Sequence, residues 1–424
     1  MLAPLFAPRP RSRQLTALLA FLAAVLGAFG WHSPSTMAAL PLLAALWSAA
    51  PGRIAAWLVI GSYYLAGSHP LPSAWLSFFA GQASLPGALL VWLAAAALLA
   101  LPWAMFWPAR EASAMRVCAS LLAALMLVSV PPLGIIGWLN PLLSAGSLFS
   151  RTGWAGLLAA LMSMSLLALA VRWRFARVPA GVQIGTCLPY MAMIIVVALY
   201  ARTTAPAPAP AGWIAVDTAL GHTPRDYAAS LARQVELIER VEQVRQQVQS
   251  VGEAPVQVIV LPEQIAGPWG EAQRAVWQRL WTPDGDPASP PPTLVLGASI
   301  EGAAPGRRLN ALLADPHAPR LQASSRQPVP FAMWRPWAAD GYGAHWSGRG
   351  VSELAGQRVL WSICYEDYLV WPFLLSLLAD RPTLIVSTAN AAWSTHPGRQ
   401  RLQALHLNAW GRLFNLPVLR AENR

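Results

Sequence analysis

The chain contains no lysine, so all 30 of its basic residues are arginines. Acidic residues are scarce before position 202, where Glu111 is the only acid beside ten arginines. The first absence excludes catalysis by a lysine amine of this chain, and the second argues against a water-soluble first half. Cysteine is scarce as well. Cys118 and Cys187 lie in apolar runs and Cys364 stands alone in the second half, which excludes a disulfide framework there.

The basic excess is concentrated in the first half of the chain. Residues 1–201 carry a net charge of +9, whereas the remaining residues, with 20 arginines and 18 acids, carry +2. A sequence pI near 10.5 would suit a protein that binds phosphates. Here, however, the excess lies in short loops between apolar runs, where arginine sets membrane topology. We therefore expect no nucleic-acid partner, and because HExxH and CxxC spacings do not occur, no metal and no cofactor.

Apolar residues are abundant, at 55% of the chain. Several apolar runs reach the roughly 20 residues that a helix needs to cross about 30 Å of hydrocarbon, and the second and third are short enough to form a hairpin instead. The pattern predicts a membrane domain of about seven transmembrane helices over residues 1–201. The seven runs lie at about 15–31, 36–50, 54–67, 86–106, 117–138, 153–172 and 183–201.

The arginines of this half occupy alternate loops. Nine of them fall on one side of the predicted membrane and only Arg151 falls on the other. By the positive-inside rule, the amino terminus then lies in the cytoplasm, and an odd number of crossings places the rest of the chain on the far side. We therefore predict a multi-pass protein of the bacterial inner membrane, with a periplasmic carboxyl-terminal domain.

The second half begins after a proline-rich spacer. Residues 202–212 form a linker in which proline alternates with alanine over 205–211, which favours extended polyproline II and marks a domain boundary. From 213 to 424, strand-like and helix-like stretches alternate, which predicts an α/β fold. Tyr227–Gln249 carries an apolar stripe that indicates a helix covering a sheet, or a coiled coil that binds a partner. Predicted strands are Trp213–Val216, Val256–Leu261, Thr293–Leu296, Val359–Ile363 and Leu384–Ser387.

Three functional groups follow predicted strands directly. Glu263 ends one strand, Cys364 ends a second and Asn390 ends a third. Open α/β folds gather their ligands at such strand ends, and a helix amino terminus after Cys364 would favour its thiolate. A base, a nucleophile and an amide donor would form an acyl-transfer set. By spacing alone, packing of a buried thiol and helix capping by Glu263 remain open.

Four motifs in order make the chain similar to the carbon-nitrogen hydrolase (nitrilase) superfamily, specifically to its apolipoprotein N-acyltransferase family. The stretch from Gly137 through Trp154 resembles the branch of conjugal transfer proteins named TraB. The resemblance implies an αββα sandwich in the periplasm, attached to a helical membrane domain. The motifs are Leu261-Pro262-Glu263, Val329-Pro330-Phe331, Ile363-Cys364-Tyr365-Glu366 and Asn390-Ala391-Ala392-Trp393, and Leu419–Asn423 resembles the closing strand.

The resemblance also implies roles for individual residues. Glu263 would be the general base, Cys364 the nucleophile and Glu366 a supporting carboxylate, while Asn390 and Trp393 would line the substrate pocket. The family's reaction moves an acyl chain from a phospholipid to the cysteine as a thioester, and then to the amino-terminal amine of a lipoprotein.

The chain departs from the family pattern at the catalytic cation. The family's lysine falls on Ser325, with Arg326 next to it, and an expected acid is Met333. Loss of one oxyanion donor typically costs about 2.7 to 4 kcal/mol. Two hypotheses follow. Either the chain is an acyltransferase with altered chemistry, or it is a catalytically degenerate envelope component of a conjugation apparatus that binds partners without reacting.

An aromatic cluster lies between the motifs and contains Trp334, Trp337, Tyr342 and Trp346. Such a cluster favours the headgroup region of a bilayer, or it packs as a lid on its own domain and contacts substrate there. The resemblance further implies strands and a final membrane helix beyond Arg424. The sequence therefore leaves open whether the domain over 213–424 belongs to a shorter branch or is incomplete.

Overall fold

The computed structural model describes the chain except for residues 1–9, 80, 176–191, 193–195, 197–198, 200–205, 225, 251–254, 282–291 and 394–396. The chain divides into two compact units. The first contains Met1–Pro206, Tyr368–Trp371 and His396–Asn415, and the second contains Ala207–Asp367, Pro372–Thr395 and Leu416–Arg424. The first unit is helical, whereas the second contains all nine strands of the described residues.

The helices of the first unit follow the apolar runs of the sequence. Short 3-10 turns at Leu133–Ile136 and Pro141–Leu143 connect its later helices. The α-helices are α1 Pro10–Gly30, α2 Pro34–Met37, α3 Leu42–Ala49, α4 Arg53–Gly67, α5 Leu71–Phe78, α6 Leu85–Met105, α7 Ala114–Ser129, α8 Ser144–Leu148, α9 Trp154–Phe175 and, from the carboxyl-terminal part of the chain, the helix Pro397–Phe414.

Among the residues that the structure describes, three helices are long and apolar enough to cross a membrane: Ser12–Gly30, Leu85–Met105 and Trp154–Trp173. The run at 36–50 is split into α2 and α3 before Pro41, which has no N–H to donate within a helix. The run at 117–138 is shortened because α7 ends at Ser129, ahead of two prolines. The last run, 183–201, falls almost wholly outside the described residues. Seven crossings therefore stay a prediction.

Small residues allow close helix packing in the first unit. A Cβ placed on Gly27 of α1 would stand 2.2 Å from the carbonyl oxygen of Tyr63 in α4, so the two backbones meet at this glycine. Arg172 of α9 is buried, and its guanidinium donates to the Pro108 carbonyl at 2.9 Å and to Ser48 Oγ at 3.2 Å. These acceptors compensate the buried charge of the guanidinium.

The strands of the second unit form two sheets. One sheet has the order β1-β2-β3-β4-β5, in which β1, β2 and β3 are parallel; the other has the order β6-β7-β8-β9, in which β7, β8 and β9 are parallel. The strands are β1 Trp213–Ala215, β2 Val258–Val260, β3 Thr293–Glu301, β4 Arg308–Ala314, β5 Arg320–Ser324, β6 Val351–Leu354, β7 Gln357–Ile363, β8 Leu384–Asn390 and β9 Val418–Asn423.

Side chains point alternately to the two faces of each strand, so the core of this unit has two parts. Val258 and Val260 of β2 join Trp361 of β7 and Val386 of β8 in a core shared by both sheets. Ile259 points to the opposite face, because successive side chains of a strand alternate. That outer face is covered by α10 (Tyr227–Ser250) and α11 (Glu271–Leu280). The predicted helical region followed by an α/β region is thus confirmed, and α10 is the predicted sheet-covering helix.

Candidate functional site

The first part of the candidate site is a buried carboxylate at the end of β2. Glu263 is 4% exposed and accepts from Asn310 Nδ2 at 2.6 Å and from the backbone N–H of Asn390 at 3.1 Å. Gly297 makes room for this turn, because a Cβ there would stand 2.3 Å from the Pro262 carbonyl oxygen. The structure thus brings together Glu263 and Asn390, which sequence analysis placed at two strand ends.

Asn310 is a site residue that sequence analysis missed. It lies in β4 and is buried, and its amide Oδ1 has no hydrogen-bond partner within the described residues. The available signal was a single amide in an otherwise apolar stretch, Leu309-Asn310-Ala311-Leu312. A buried amide in a sheet interior is costly unless it is bonded, so its bond to Glu263 accounts for its presence.

The turn at Cys364 holds the thiol in a strained backbone conformation. Cys364 follows the last residue of β7, has φ of 50° and is 5% exposed. A left-handed conformation costs a non-glycine residue on the order of 1 kcal/mol or more and occurs often at functional sites. The pairing of Ile363 with Thr388 places Cys364 beside the end of β8, near Asn390.

The segment after Cys364 differs from the expected helix start. It is a 3-10 turn, Cys364–Tyr368, and the next α-helix, α12, begins only at Trp371 and ends at Ala379. The turn is held from within by Glu366 and Asp367, whose carboxylates bond to neighbouring strands and loops. A single short turn supplies little helix dipole, so the predicted stabilisation of the thiolate by a helix amino terminus loses its basis.

Arg326 and Glu366 form a fully buried ion pair. Arg326 Nη2 and Nε donate to Glu366 Oε2 at 2.7 and 2.9 Å. The other carboxylate oxygen, Oε1, accepts from the backbone N–H of Arg326 and from Ser325 Oγ, the latter at 3.0 Å. The side chains of Arg326 and Glu366 are 2% and 1% exposed. Both oxygens of Glu366 are therefore occupied by donors from residues 325 and 326.

The remaining donors of Arg326 are also satisfied inside the protein. Nη1 donates to the Pro372 carbonyl at 2.8 Å and to Ser376 Oγ at 2.7 Å, and Nη2 donates to the Trp361 carbonyl at 3.0 Å. Gly350 leaves space for the guanidinium, since a Cβ at that position would stand 2.7 Å from Arg326 Cζ. Arg326 thus binds its own fold and directs none of these bonds toward a ligand.

Ser325 connects the two halves of the site. Its backbone N–H donates to the carbonyl of Asn310 at 2.7 Å, while its hydroxyl donates to Glu366. Because Asn310 in turn holds Glu263, the two carboxylates lie on either side of the Asn310–Ser325 contact. Ser325 thus contributes a backbone N–H to one half of the site and a hydroxyl to the other.

A second buried acid, Asp367, was not predicted from the sequence. It accepts from Ser362 Oγ at 2.6 Å and from Ser387 Oγ at 2.9 Å, between β7 and β8. Burial raises the pKa of Asp367 to about 7, and this outweighs the opposing effects of Arg420 and the two hydroxyl donors. The only sequence signal was its position directly after Glu366.

Asn390 belongs to a hydrogen-bond network that reaches the carboxyl-terminal strand, β9. Asn423 Nδ2 donates to Asn390 Oδ1 at 3.1 Å, and Asn423 Oδ1 accepts from Thr218 Oγ1 at 2.9 Å. Trp393, which follows the alanine pair of this motif directly, lies half-buried in the turn after β8. The network fixes the amide of Asn390 and thereby the backbone N–H that it presents to Glu263.

The predicted aromatic residues lie in an exposed loop. Trp334 is half-buried, with its ring 5.8 Å from that of Trp346, whereas Trp337 is 68% exposed. The ring of Trp337 lies 5.9 Å from that of Phe331. Their predicted contact with substrate stays a prediction, and so do the catalytic roles assigned above.

The chain combines helices suited to a membrane with an α/β unit that contains a buried carboxylate, a thiol and an ion pair. These features define a membrane-associated α/β protein. No family model matches the chain. It is 32% identical to the conjugal transfer protein TraB of Agrobacterium fabrum over 97% of its length and 94% of that protein. It is also 32% identical to the probable conjugal transfer protein TraB of Sinorhizobium fredii, over 96% of this chain and 97% of that one. The chain therefore belongs to the TraB family.

Proposed function

We propose that this chain is a membrane component of a conjugal transfer apparatus whose α/β unit is a nitrilase-like shell that binds envelope or conjugation proteins. The observation that carries the proposal is the 32% identity to two proteins named for conjugal transfer, over at least 96% of this chain in both cases. Because the likeness covers nearly the whole length, it includes the apolar helices and the α/β unit together.

The charge pattern of the site favours binding over acyl transfer. Acyl transfer develops negative charge on the carbonyl oxygen and needs donors or a cation aimed at that oxygen. The chain has no lysine, and the Arg326 guanidinium donates its hydrogen bonds to Glu366 and to backbone carbonyls of its own fold. A guanidinium in that arrangement also stays protonated and cannot pass a proton.

The same proposal includes a location. Three helices suited to crossing a membrane and the arginine-rich alternate loops support an inner-membrane protein with a cytoplasmic amino terminus. The α/β unit would then lie in the periplasm, where envelope proteins of the apparatus are accessible to it.

Plasmid mating tests the binding hypothesis. Donor cells carrying Cys364→Ala should transfer plasmid as frequently as wild type, because the thiol takes part in no reaction. Arg326→Met should abolish transfer if the shell itself is needed, since it breaks the buried pair with Glu366. Cys118→Ala is the matched control for loss of a thiol outside the site. A large drop for Cys364→Ala at normal protein level would contradict the proposal.

Acyl transfer through Cys364 is the second candidate, and the left-handed turn at Cys364 favours it, because such strain is costly to keep without a use. In this reaction the thiolate attacks a phospholipid ester carbonyl, a thioester C–S bond forms and the ester C–O bond breaks, with a proton passing to the leaving oxygen. An amine, such as that of a lipoprotein, then attacks the thioester, giving up its proton to Glu263 and releasing the thiolate.

Intact-mass measurement of the purified protein after incubation with phospholipid tests this candidate. A thioester adds the mass of one acyl chain to the wild type and adds nothing to Cys364→Ala. Hydroxylamine, which cleaves thioesters, should remove the added mass. If the wild type gains no mass, acyl transfer from that phospholipid is excluded, and the binding hypothesis stands alone.

A further inference from the structure

Aromatic rings are exposed together on one loop of the α/β unit, which we call the aromatic loop (residues 329–349). Phe331 is 52% exposed, Trp337 68% and Trp346 40%. Water-exposed rings of this size are unfavourable, and a soluble protein rarely presents them side by side unless something covers them. Phe331 and Trp337 are neighbours, with ring centroids 5.9 Å apart.

The aromatic loop is held in place by bonds to the rest of its unit. Trp346 Nε1 donates to Gln327 Oε1 at 2.8 Å, and the Tyr342 hydroxyl donates to Ser299 Oγ at 3.0 Å. Arg307 donates to the carbonyls of Arg335 and Pro336 at 3.3 and 3.0 Å. The rings are therefore presented from an ordered backbone, which lowers the entropy that binding would cost.

Arginines outnumber acids in the segments that carry and adjoin the exposed rings. The aromatic loop and the adjacent β3–β4 turn (residues 301–308) contain four arginines and two acids, for a local charge of +2. This equals the whole charge excess of the chain from residue 202 onward. The arginines are Arg307, Arg308, Arg335 and Arg349, and the acids are Glu301 and Asp340.

We propose that the aromatic loop binds the surface of a bilayer that contains anionic phospholipid. Tryptophan and phenylalanine are suited to the headgroup region, where the ring is buried and the indole N–H stays hydrated. Arginines beside them attract anionic headgroups. This chemistry fits a lipid surface better than an acidic protein surface or a nucleic acid, since neither places a continuous apolar layer directly behind its negative charges.

The membrane helices of the same chain favour lipid over a protein partner. A segment linked to a membrane anchor meets lipid at high effective concentration, so even a weak surface becomes occupied. Three helices of this chain are suited to crossing a membrane. The inference is independent of the proposed function, because lipid contact by the loop neither requires nor excludes conjugal transfer or acyl chemistry.

A fluorescent reporter beside the rings tests the proposal in the full-length protein. In a Cys118→Ala/Cys187→Ala background reconstituted in nanodiscs of phosphatidylethanolamine and phosphatidylglycerol, Ala339→Cys carries an environment-sensitive label next to Trp337 without removing a ring. Ala318→Cys, exposed at the other end of the sheet, is the matched control. The same background without an added cysteine reports labelling of the buried Cys364.

A nitroxide on the lipid chain near the headgroup should quench the label at position 339 severalfold more than at 318. Phe331→Ser/Trp337→Ser should reduce that quenching to the level of the control site, and Arg307→Gln/Arg308→Gln should remove its dependence on phosphatidylglycerol. Melting temperatures matching the parent would show that these surface variants fold. Equal quenching at both positions in folded protein would overturn the proposal and assign the exposed rings to a protein partner.

Discussion

At the scale of single residues, Arg326 has a structural role. Arg326 makes hydrogen bonds to Glu366, Trp361, Pro372 and Ser376, all within the fold. In the sequence, Arg326 lies directly after Ser325, the position at which the resemblance implies a catalytic lysine. The space at Gly350 lets the Arg326 side chain point toward Glu366, and the guanidinium therefore pairs with that carboxylate.

Removing the Arg326 guanidinium should destabilise the α/β unit strongly. Breaking a buried ion pair by removing one partner typically costs about 3 to 5 kcal/mol, because a charge stays buried without compensation. Arg326→Met should therefore lower the unfolding midpoint of the detergent-solubilised protein sharply. The double variant Arg326→Met/Glu366→Gln should cost less than the sum of the single changes, because it leaves no buried charge.

The exposed pair of Arg335 and Asp340 provides the control for this prediction. Its atoms are 2.9 Å apart, but the Asp340 side chain is 75% exposed. Exposed pairs contribute about 0 to 1 kcal/mol, so Arg335→Met should change the midpoint little. Similar losses for Arg326→Met and Arg335→Met would show that the buried pair does not stabilise the unit as described.

The buried acid Asp367 predicts a pH dependence of stability. Its pKa is raised to about 7 in the folded protein, so the folded state retains a proton that the unfolded chain releases near pH 4. The stabilising contribution is complete below about pH 4 and is lost as pH rises through about 7. Melting temperature should therefore fall over this window, and Asp367→Asn should flatten the fall. Glu353→Gln, at an exposed position in β6, should leave the profile unchanged.

At the scale of elements, apolar patterns predicted buried strands of the core, but they did not predict the strand that carries a polar residue of the site. Two short apolar runs have the pattern of a buried strand, and both lie in strands: Val258–Val260 in β2 and Val359–Ile363 in β7. β4 was not predicted, because its buried Asn310 interrupts the apolar pattern. The amide is explained only by Glu263, a residue 47 positions away in the sequence. Long-range hydrogen bonds of this kind leave no periodic signal in the chain.

The contact between α1 and α4 predicts different outcomes for two helical glycines. Gly27→Ala would force the helices apart, since the added Cβ would stand 2.2 Å from the carbonyl oxygen of Tyr63. Overpacking of this kind costs about 1 to 3 kcal/mol. Gly61→Ala, whose Cβ would meet only the Ala100 side chain at 3.9 Å, should be neutral or slightly stabilising.

Thermal unfolding in detergent distinguishes these two variants. A lower midpoint for Gly27→Ala and an equal or higher midpoint for Gly61→Ala are expected. Equal midpoints for the two variants would mean that the close approach of α1 and α4 is not kept in the solubilised protein.

At the scale of the whole molecule, one chain combines helices suited to lipid with an α/β unit that has two sheets and a polar site. The charge difference between the halves, +9 against +2, was the sequence signal for this division. The contribution of the helix Pro397–Phe414 to the first unit could not be anticipated, because it lies between two strands of the second unit in the sequence. Amphipathic patterns indicate that a helix packs but do not identify the surface on which it packs.

Reporter fusions should reveal the predicted membrane orientation. Alkaline phosphatase, which is active only after export, should be active when fused after Gly212 and inactive when fused after Arg110. A reporter that fluoresces only in the cytoplasm should give the opposite pattern. These results are expected because nine of the ten arginines in the first half lie in the loops assigned to the cytoplasm. An active phosphatase at Arg110 would invert the proposed topology.

The space at Gly350 couples the choice of residue at three positions. A Ser325→Lys exchange would place an ammonium beside a carboxylate that the Arg326 guanidinium already neutralises, and would add a second positive charge to a buried site. Accepting a lysine at 325 would therefore require a second replacement at 326, and removal of the guanidinium would leave a cavity beside Gly350. Single exchanges at 325, 326 or 350 are each expected to lower stability, so sequence variation should accumulate around the site and not at its centre.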